Sequence, residues 1–429
     1  MNDIEDQPTD SAVAVQDAKV VSRRKFLGSS SLSLAAVALS AATIHAQSRS
    51  QIHAGEASHS ASDPGPENGP LLAQNPNSNT PPETDFGDIG PIWYSFDLAR
   101  KRVEEGGWTH QVTQRELPPS TAISGVNMRL TSGSFREMHW HTADEWAFML
   151  YGNARVTVLN PDGTIFIDDV EKGDLWFFPA GYPHSIQGLG PDGCEFLLVF
   201  DEGLFSEDNT FLISEWMAHT PNEVLTKNSN LDATAIAKLP KEELYIFPAD
   251  LPGSLASDRA AVGGQAVASP ISYTFKMEAM APTKTTTGGE VRVVDSHNFP
   301  ASKSIAAGLV TIKPGGLREL HWHPNASEWQ FYIAGKGRMT VFMPPGRART
   351  MDFNANDVGY VPAVAGHYIE NTGDTDLVFL ELFKADTFQD FSMNNWLRRS
   401  PPEMIKSHLN LTDAEIRRIP AEKQEVIGR

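Results

Sequence analysis

The chain has 429 residues, enough for two or three domains, and its 40% hydrophobic and 21% charged content indicates a packed core rather than wholesale disorder. Its 35 basic and 54 acidic residues give a formal net charge of −19, which argues against nucleic acid or an anionic membrane as the main partner and, at first sight, against an anionic substrate. Cys194 is the single cysteine, so an internal disulfide and a cysteine-based zinc or iron–sulfur site are excluded.

Residues 1–46 have the layout of an export signal. The stretch Ser22-Arg23-Arg24-Lys25-Phe26-Leu27 precedes an apolar run rich in Ala, Leu and Ser, which ends at Ile44-His45-Ala46. Paired arginines followed by Lys-Phe-Leu are typical of a twin-arginine signal, so we expect the protein to be periplasmic or secreted. An uncleaved membrane anchor is the alternative, which the many serines of the run disfavour, and no membrane partner is expected once the signal is removed.

Residues 47–83 are rich in Ser, Asn, Pro, Gly and Ala and contain almost no apolar run. This composition predicts a disordered linker or a loosely attached arm. Ordered sequence is expected to begin near Pro82-Glu83-Thr84-Asp85. Beyond it we expect two domains, over residues 84–250 and 270–429, with a loop-rich boundary between them.

The two expected domains are copies of one unit. Gly133-Ser-Phe-Arg-Glu-Met-His-Trp-His141 matches Gly315-Gly-Leu-Arg-Glu-Leu-His-Trp-His323, and a Glu-Trp pair follows each match. The segments 179–184 and 362–367 also correspond, as do the tails that follow. A tandem repeat of one fold therefore explains most of the length.

Each copy consists of short alternating apolar segments separated by turns such as Pro161-Asp162-Gly163. The predicted strands include 156–159, 175–178, 196–200, 339–342, 358–361 and 377–382. Thr412-Asp413 is expected to open a short amphipathic helix in the tail. The predicted fold class is all-β, with two tandem jelly-roll barrels and short α-helices appended to each.

Two clusters of histidine and glutamate carry the chemistry. Residues i and i+2 of a strand face the same side, so His139 and His141 point one way and Trp140 the other. The predicted ligand sets are His139, His141, Glu145 and His184 in the first copy and His321, His323, Glu328 and His367 in the second. Three imidazoles and a carboxylate suit a divalent metal with open coordination positions, whereas degenerate barrels that keep these residues without metal are the alternative.

The spacing Gly-x5-His-x-His-x3/4-Glu-x6-Gly, followed by Pro-x4-His, resembles the cupin family, whose fold is the double-stranded β-helix. The second copy departs from that pattern at Asn356 and Val364, where glycines are usual. Asn tolerates positive φ, so it is a plausible substitute. Val364 is expected to change the path of the loop before His367.

Within the cupins, the chain resembles the two-barrel oxalate decarboxylases over roughly residues 80–429. Matching segments include 136–141, 166–170, 173–179, 183–187, 195–201 and 358–362. The resemblance implies conversion of oxalate to formate and CO2, Mn(2+) in both barrels with iron as the alternative metal, and dioxygen as co-catalyst. It also implies a homo-oligomer, a trimer or a hexamer. Trp140 and Trp322 would lie at contacts between subunits, and ordinary core packing is the alternative for both.

The same resemblance assigns roles to polar residues near the first cluster. Arg136 is expected to hold the substrate carboxylate, with Arg318 at the matching position of the second copy; a rim salt bridge is the alternative for both. The segment from Phe205 to Phe211 resembles a mobile lid, on which Glu207 would transfer the proton and Thr210 also matches. Composition alone would make this segment a solvated acidic loop.

Glu381 lies within an apolar strand of the second copy, and Leu198 is its counterpart in the first. It is expected to be either an acid of the second site or a member of a structural ion pair. The second copy has no Ser-Glu-x-x-Thr segment like that of the lid, so the main catalytic site is expected in the first barrel.

Three other functions remain open at this point: an oxalate oxidase that forms CO2 and hydrogen peroxide, a non-catalytic metal-binding or storage protein with two barrels, and another cupin enzyme such as an iron dioxygenase. The negative net charge does not decide among them. A divalent metal and one arginine make the pocket locally positive, and salt screens the distant surface charge within about 8–10 Å.

Overall fold

A computed structural model describes residues 65–428, and residues 67–428 form one compact unit of two β-barrels. The export signal predicted over residues 1–46 lies outside the described residues. In the first barrel the strands are β2 (Lys101–Glu104), β3 (Gly107–Val112), β4 (Ser124–Leu130), β5 (Phe135–Trp140), β6 (Glu145–Leu159), β7 (Ile165–Glu171), β8 (Leu175–Phe178), β9 (His184–Gly188) and β10 (Cys194–Phe200).

The first barrel consists of one continuous sheet that curls back on itself. Its strands follow the order β5-β9-β6-β10-β4-β3-β2, and the long β6 also pairs with β7 and β8. Pairing is antiparallel throughout, as the alternating apolar pattern predicts. The inward side chains, among them Trp176 and Phe196, are fully buried and form the core.

The second barrel repeats this arrangement as two facing sheets. Its strands are β14 (Lys284–Thr286), β15 (Gly289–Val294), β16 (Ala306–Ile312), β17 (Leu317–Trp322), β18 (Glu328–Ala334), β19 (Lys336–Met343), β20 (Arg347–Asn354), β21 (Asp357–Val361), β22 (Gly366–Asn371) and β23 (Leu377–Phe383). The order is β21-β18-β23-β16-β15-β14 in one sheet and β20-β19-β22-β17 in the other. The six strands predicted from the sequence all lie within observed strands, and the predicted all-β fold of two tandem barrels is confirmed.

Short helices follow each barrel, as predicted. After the first come α2 (Ile213–Ala218), α3 (Asn222–Ser229), α4 (Ala233–Ile236) and α5 (Leu255–Ala261), and after the second α6 (Met393–Arg399), α7 (Pro402–Leu409) and α8 (Asp413–Ile416). Thr412 and Glu415 form a reciprocal capping box that starts α8 where the sequence indicated. Within residues 65–428, no helix is both long and apolar enough to cross a membrane.

A buried glutamate anchors each tail to its barrel. Glu137 accepts hydrogen bonds from the backbone N–H groups of Ser214, Leu244 and Tyr245. In the second barrel, Glu319 accepts hydrogen bonds from the Ser392 hydroxyl and from the backbone N–H of Glu425. The tails also add strand pairs to the barrels, namely β11 (Phe211–Leu212), β12 (Ile246–Phe247), β24 (Phe391–Ser392) and β25 (Val426–Ile427).

The barrels exchange segments, so the packing boundaries differ from the predicted domains 84–250 and 270–429. The strand β1 (Trp93–Ser95) pairs with β21 of the second barrel, although it precedes the first. The strand β13 (Thr274–Phe275) pairs with β8 of the first barrel, although it lies beyond the predicted boundary. Strand pairing over such distances leaves no local pattern in the sequence.

The predicted disordered linker over residues 47–83 is wrong for its C-terminal part. The helix α1 (Gly69–Gln74) begins after Asn68, whose side chain caps it. The Asn75 side-chain amide donates to the backbone carbonyl of Asp352 in the second barrel and accepts from its backbone N–H. Residues 47–64 lie outside the described part of the chain.

The two departures from the glycine pattern have different outcomes. Asn356 has φ +73°, as expected for a substitute of Gly173 at φ +85°. Val364 also keeps a left-handed backbone, with φ +60° against +77° at Gly181. Its N–H donates to the His323 carbonyl just as Gly181 donates to His141, so the expected change of loop path is wrong. The position holds a strained β-branched residue instead.

Candidate metal centres and the pocket above the first

The structure brings the eight predicted ligands into two clusters of four. In each cluster one ligand atom per residue lies within 4.8 Å of the others, and all side chains are buried. Each cluster combines the end of one strand with the starts of two others. In the first barrel, His139 lies opposite His184 in the β5–β9 pairing, and Glu145 opens β6.

Backbone carbonyls fix the tautomer of all six histidines. Each Nδ1 donates to a carbonyl oxygen at 2.6–3.1 Å, and therefore each Nε2 carries a free lone pair. The carbonyls belong to residues 137, 143, 182, 319, 389 and 365. This orientation is the one that metal-ligating imidazoles require.

The free lone pairs point into the same small volume. The Nε2 atoms of His139 and His184 lie 3.1 Å apart, and Glu145 Oε2 is 3.2 Å from His141 Nε2. In the second cluster the Nε2 atoms of His321, His323 and His367 are buried without a hydrogen-bond partner, as is Glu328 Oε2. Clustered acceptors without donors repel one another unless a cation lies between them, so the residues fit a divalent metal.

The ionisation states agree with ligation. Burial, together with the nearby arginine, holds the pKa of His139 and of His321 well below the usual range, so both imidazoles are neutral. Burial opposes ionisation of Glu145, yet the closeness of the His141 and His184 imidazoles holds its pKa well below the usual range. His139 and His321 are therefore neutral nitrogen donors, and Glu145 is an ionised oxygen donor, as ligation requires.

The second oxygen of each ligating glutamate has a different donor in each barrel. In the first barrel, Trp176 Nε1 donates to Glu145 Oε1 at 2.8 Å. In the second, Gln330 Nε2 donates to Glu328 Oε1 at 2.6 Å. Gln330 occupies the space at Gly359 that a larger residue would need. Sequence reasoning missed both donors: Trp176 lies on β8, away from the strand of Glu145, whereas Gln330 lies two residues after Glu328 on β18.

Above the first cluster, the lid residue Glu207 forms a buried ion pair with Arg136. Its Oε2 lies 3.0 Å from Arg136 Nη2 and 3.2 Å from Nε. Arg136 Nη2 also donates to Thr210 Oγ1 at 3.0 Å. Arg136 Nη1 and Glu207 Oε1 are buried without partners, so each retains hydrogen-bonding capacity. All three predicted residues of this pocket are thus in contact.

Tyr245 and Gln111 complete the pocket and were missed from the sequence. The Tyr245 hydroxyl lies 3.4 Å from Glu207 Oε2, and its ring centroid lies 4.3 Å from the Arg136 guanidinium carbon. Gln111 accepts from the Glu207 N–H and donates to Ser206, which ties the lid to β3. The sequence did contain a signal for Tyr245: the corresponding position of the second copy is the charged residue Glu425, so the two copies differ there.

Arg318, predicted to hold substrate, is neutralised in the second barrel. Its guanidinium pairs with Glu381 at 3.1 Å, Asp390 at 2.8 Å and Glu425 at 2.9 Å. Asp390 is in the place that Thr210 has in the first barrel, and Glu425 is in that of Tyr245. With three carboxylates around it, Arg318 has no capacity left for a substrate anion.

Glu381 combines features of both of its predicted roles. Its Oε1 pairs with Arg318, whereas its Oε2 is buried without a partner. Burial raises the pKa of Glu381 to about 7, against the attraction of Arg318. The structure therefore contains the predicted ion pair and a carboxyl group of raised pKa in one residue.

Comparisons with known proteins agree with this geometry. The Cupin family model matches residues 95–237 and again 275–417. Oxalate decarboxylase OxdC of Bacillus subtilis is 51% identical over 338 residues, which cover 79% of this chain and 87% of that protein. An oxalate decarboxylase of Arthroderma benhamiae is 38% identical over 392 residues, 85% of this chain and 90% of the relative.

A solved structure of Bacillus subtilis oxalate decarboxylase, from work on its Mn(II) centres, is 49% identical to this chain. It superposes with a TM-score of 0.82 and covers 85% of this chain and 96% of its own. The similarity thus extends over both barrels and both clusters.

Proposed function

The chain belongs to the cupin family and, within it, to the oxalate decarboxylases, and we propose that its first barrel converts oxalate to formate and CO2 on a manganese ion. The observation that carries this proposal is the contact between Arg136 and Glu207 beside a complete set of ligands. A cation-binding cluster, an anion-binding arginine and a proton-transfer acid are the groups that a carboxylate substrate requires.

Arg136 binds the substrate in this proposal. Its Nη1 is a buried donor without a partner, and burial strengthens a hydrogen bond to a carboxylate. When Glu207 moves away from Nε and Nη2, the planar fork becomes free for bidentate binding. Leu198, a buried apolar residue, has the position in the repeat that Glu381 has in the second barrel, where Glu381 pairs with Arg318.

Glu207 moves the proton. Monoprotonated oxalate, HC2O4−, contains the same atoms as formate and CO2 together, so the reaction requires no net proton or electron. The carboxylate of Glu207 takes the substrate proton and returns it to carbon after CO2 has left. The Glu207 Oε1 atom has no partner in the closed pocket, so it is free to act on substrate.

The metal proposed for each barrel is Mn(2+), held by His139, His141, Glu145 and His184 in the first. When bound, it supplies a positive centre for the substrate carboxylate and one-electron redox chemistry, with dioxygen as the proposed co-catalyst. Nitrogen and carboxylate donors also accept iron, so metal analysis must accompany every assay. In the second barrel the metal is structural, because Arg318 there is neutralised.

The decisive experiment measures formate, CO2 and hydrogen peroxide from oxalate on protein of known metal content. We expect formate in amounts equal to the oxalate consumed. Peroxide without formate would make the protein an oxalate oxidase and overturn the proposal. If the purified protein contains no metal and forms neither formate nor peroxide after reconstitution with manganese, it is a binding or storage protein.

We propose further that the chain forms a homo-oligomer through aromatic surfaces that both barrels expose. Trp216 is 62% exposed and contacts Trp140, while Trp396 is 60% exposed and contacts Trp322. Monomeric proteins rarely leave such clusters in water. Sedimentation should show a trimer or hexamer, whereas a monomer at micromolar concentration would contradict this.

Export through the twin-arginine route remains a proposal from the sequence alone. It is supported by Arg23-Arg24 before the apolar run. Replacement of both arginines by lysine should retain the protein inside the cell. Unchanged export of that variant would refute the route.

A further inference from the structure

A second, outer cavity lies on the solvent side of the lid. It has a volume of about 240 Å³ and extends down to Glu207 and Tyr245 at its floor. Three arginines line it, Arg100, Arg102 and Arg115. The outer cavity therefore adjoins the residue that closes the inner pocket.

The arginines of the outer cavity differ in their partners. Arg102 pairs with Glu104 at 2.6 Å and with Glu243 at 2.7 Å. The guanidinium groups of Arg100 and Arg115 are exposed and form no ion pair or hydrogen bond within residues 65–428. They are cations without partners at the entrance of a site that takes an anion.

The acids that line the outer cavity are already engaged. Glu116 accepts hydrogen bonds from the N–H and hydroxyl of Thr113, and Glu207 is paired with Arg136. Asp208 is the remaining one, and it lies 3.3 Å from Arg102. None of these carboxylates pairs with Arg100 or Arg115.

Two ion pairs hold the lid, and the arginines of both lie against the Tyr245 ring. Glu207 binds Arg136 inside, and Asp208 binds Arg102 outside. The guanidinium carbon of Arg102 lies 3.6 Å from the Tyr245 ring centroid and that of Arg136 lies 4.3 Å from it. The two arginines thus share one aromatic ring, and the lid contacts both.

We propose that the outer cavity is a capture site for a small dicarboxylate, namely the substrate, which is held by Arg100 and Arg115, takes the place of Asp208 at Nη1 of Arg102 and so releases the lid. The proposal rests on the function proposed above. Guanidinium groups bind carboxylates in a planar fork, and oxalate offers two carboxylates to arginines that have no other anion.

The pair between Asp208 and Arg102 suits displacement. The Asp208 side chain is 64% exposed, and ion pairs at such positions are weak and are screened by salt. A dicarboxylate held by Arg100 and Arg115 competes with Asp208 at high local concentration. The pair between Glu207 and Arg136 is buried, whereas the pair between Asp208 and Arg102 is accessible from solvent. An arriving anion can therefore break the second pair but not the first.

The first experiment removes the capture charges in a double variant, Arg100→Gln with Arg115→Gln. We expect KM for oxalate to rise about tenfold, with the loss confined to KM, because capture precedes chemistry. The salt dependence of kcat/KM should weaken as well. The matched control is Arg417→Gln with Arg418→Gln, which removes the same charge from two exposed arginines of the C-terminal tail.

Equal KM values and equal salt dependence in the two double variants would overturn the capture site. If the unmodified protein forms no formate, the proposed function fails separately. The capture site is then tested by calorimetric titration of the manganese-loaded proteins with oxalate. Binding that is weaker in the outer-cavity variant than in the control supports the site, and equal binding refutes it.

The second experiment tests the outer fastening with Asp208→Asn. Hydrogen exchange of the segment 206–210 should become several-fold faster before oxalate is added, because the lid is held by one pair only. Glu202→Gln is the control, since Glu202 is an exposed acid of the same loop whose side chain forms no ion pair within the described residues. Equal exchange in the two variants would show that Asp208 does not hold the lid.

Discussion

Arg136 and Arg318 occupy the same position of the repeat, three residues before the first histidine of each cluster, but they bind different partners. Arg136 pairs with one carboxylate, that of Glu207 on a short 3₁₀ turn. Arg318 pairs with three carboxylates, on β23 and in the tail of its own barrel. One arginine can exchange its partner for a substrate, whereas the other completes a closed ionic network.

The two arginines should therefore respond differently to substitution. Arg136→Lys removes the bidentate fork, and we expect kcat/KM to fall about a hundredfold with little change in thermal stability. Arg318→Met leaves buried carboxylates without their cation, and we expect the free energy of unfolding to fall by about 3–5 kcal/mol. Steady-state kinetics and thermal unfolding of both proteins give the comparison. A loss of turnover in Arg318→Met at unchanged stability would place chemistry in the second barrel.

Glu207→Gln tests the proton-transfer role. The amide keeps the size of the side chain but cannot accept and return a proton, so we expect formate production to fall by about 10²–10⁴-fold. Metal content should stay normal, because Glu207 is not among the ligands. Glu202→Gln in the same loop should retain full activity. Substantial formate from the Glu207 variant would refute the assignment.

The sequence predicts what the repeat and the strand period determine. Both ligand sets and the strands that carry them follow from local patterns. The family resemblance assigned Arg136 and Glu207 to one pocket, but it did not predict the ion pair between them. The start of α8 follows as well, because a capping box is a local signal. At Asn356 the tolerance of Asn for positive φ was enough to predict the backbone.

Contacts between distant segments could not be predicted. Arg102, Gln111 and Tyr245 reach the lid from strands and a tail that are remote in sequence. The exchange of β1 and β13 between the barrels depends on pairing across the whole chain. Val364 misled the prediction because the hydrogen bond to His323 enforces a conformation that valine itself disfavours.

Glu381 should make stability depend on pH in the metal-free protein. Its folded-state pKa of about 7 lies above the ordinary value of 4.5, so protonated Glu381 favours the folded state. This contribution is complete below pH 4.5 and is lost as pH rises to 7. Glu381→Gln has no such loss, and we expect its melting temperature relative to the unmodified protein to increase over that range. A constant difference between the two proteins would contradict the raised pKa.

Val364 and Gly181 allow a reciprocal test of backbone strain at one position of the repeat. Both have left-handed φ, and Gly181 has no atom within 4 Å of where a Cβ would lie. Gly181→Val therefore introduces strain without a clash, and we expect a loss of about 1–3 kcal/mol in the free energy of unfolding. Val364→Gly removes the strain at some cost in unfolded-state entropy, so we expect a gain of about 1 kcal/mol.

Thermal unfolding of the two single variants and of the double variant measures these effects. The two sites lie in different barrels, so their effects should add within about 0.5 kcal/mol. Val364 is 65% exposed, so its replacement by glycine removes little packing within the chain. If Val364→Gly is nevertheless less stable, its side chain is covered by another subunit. Sedimentation of the same variant separates that result from an error in the strain argument, since loss of a subunit contact would also reduce the oligomer.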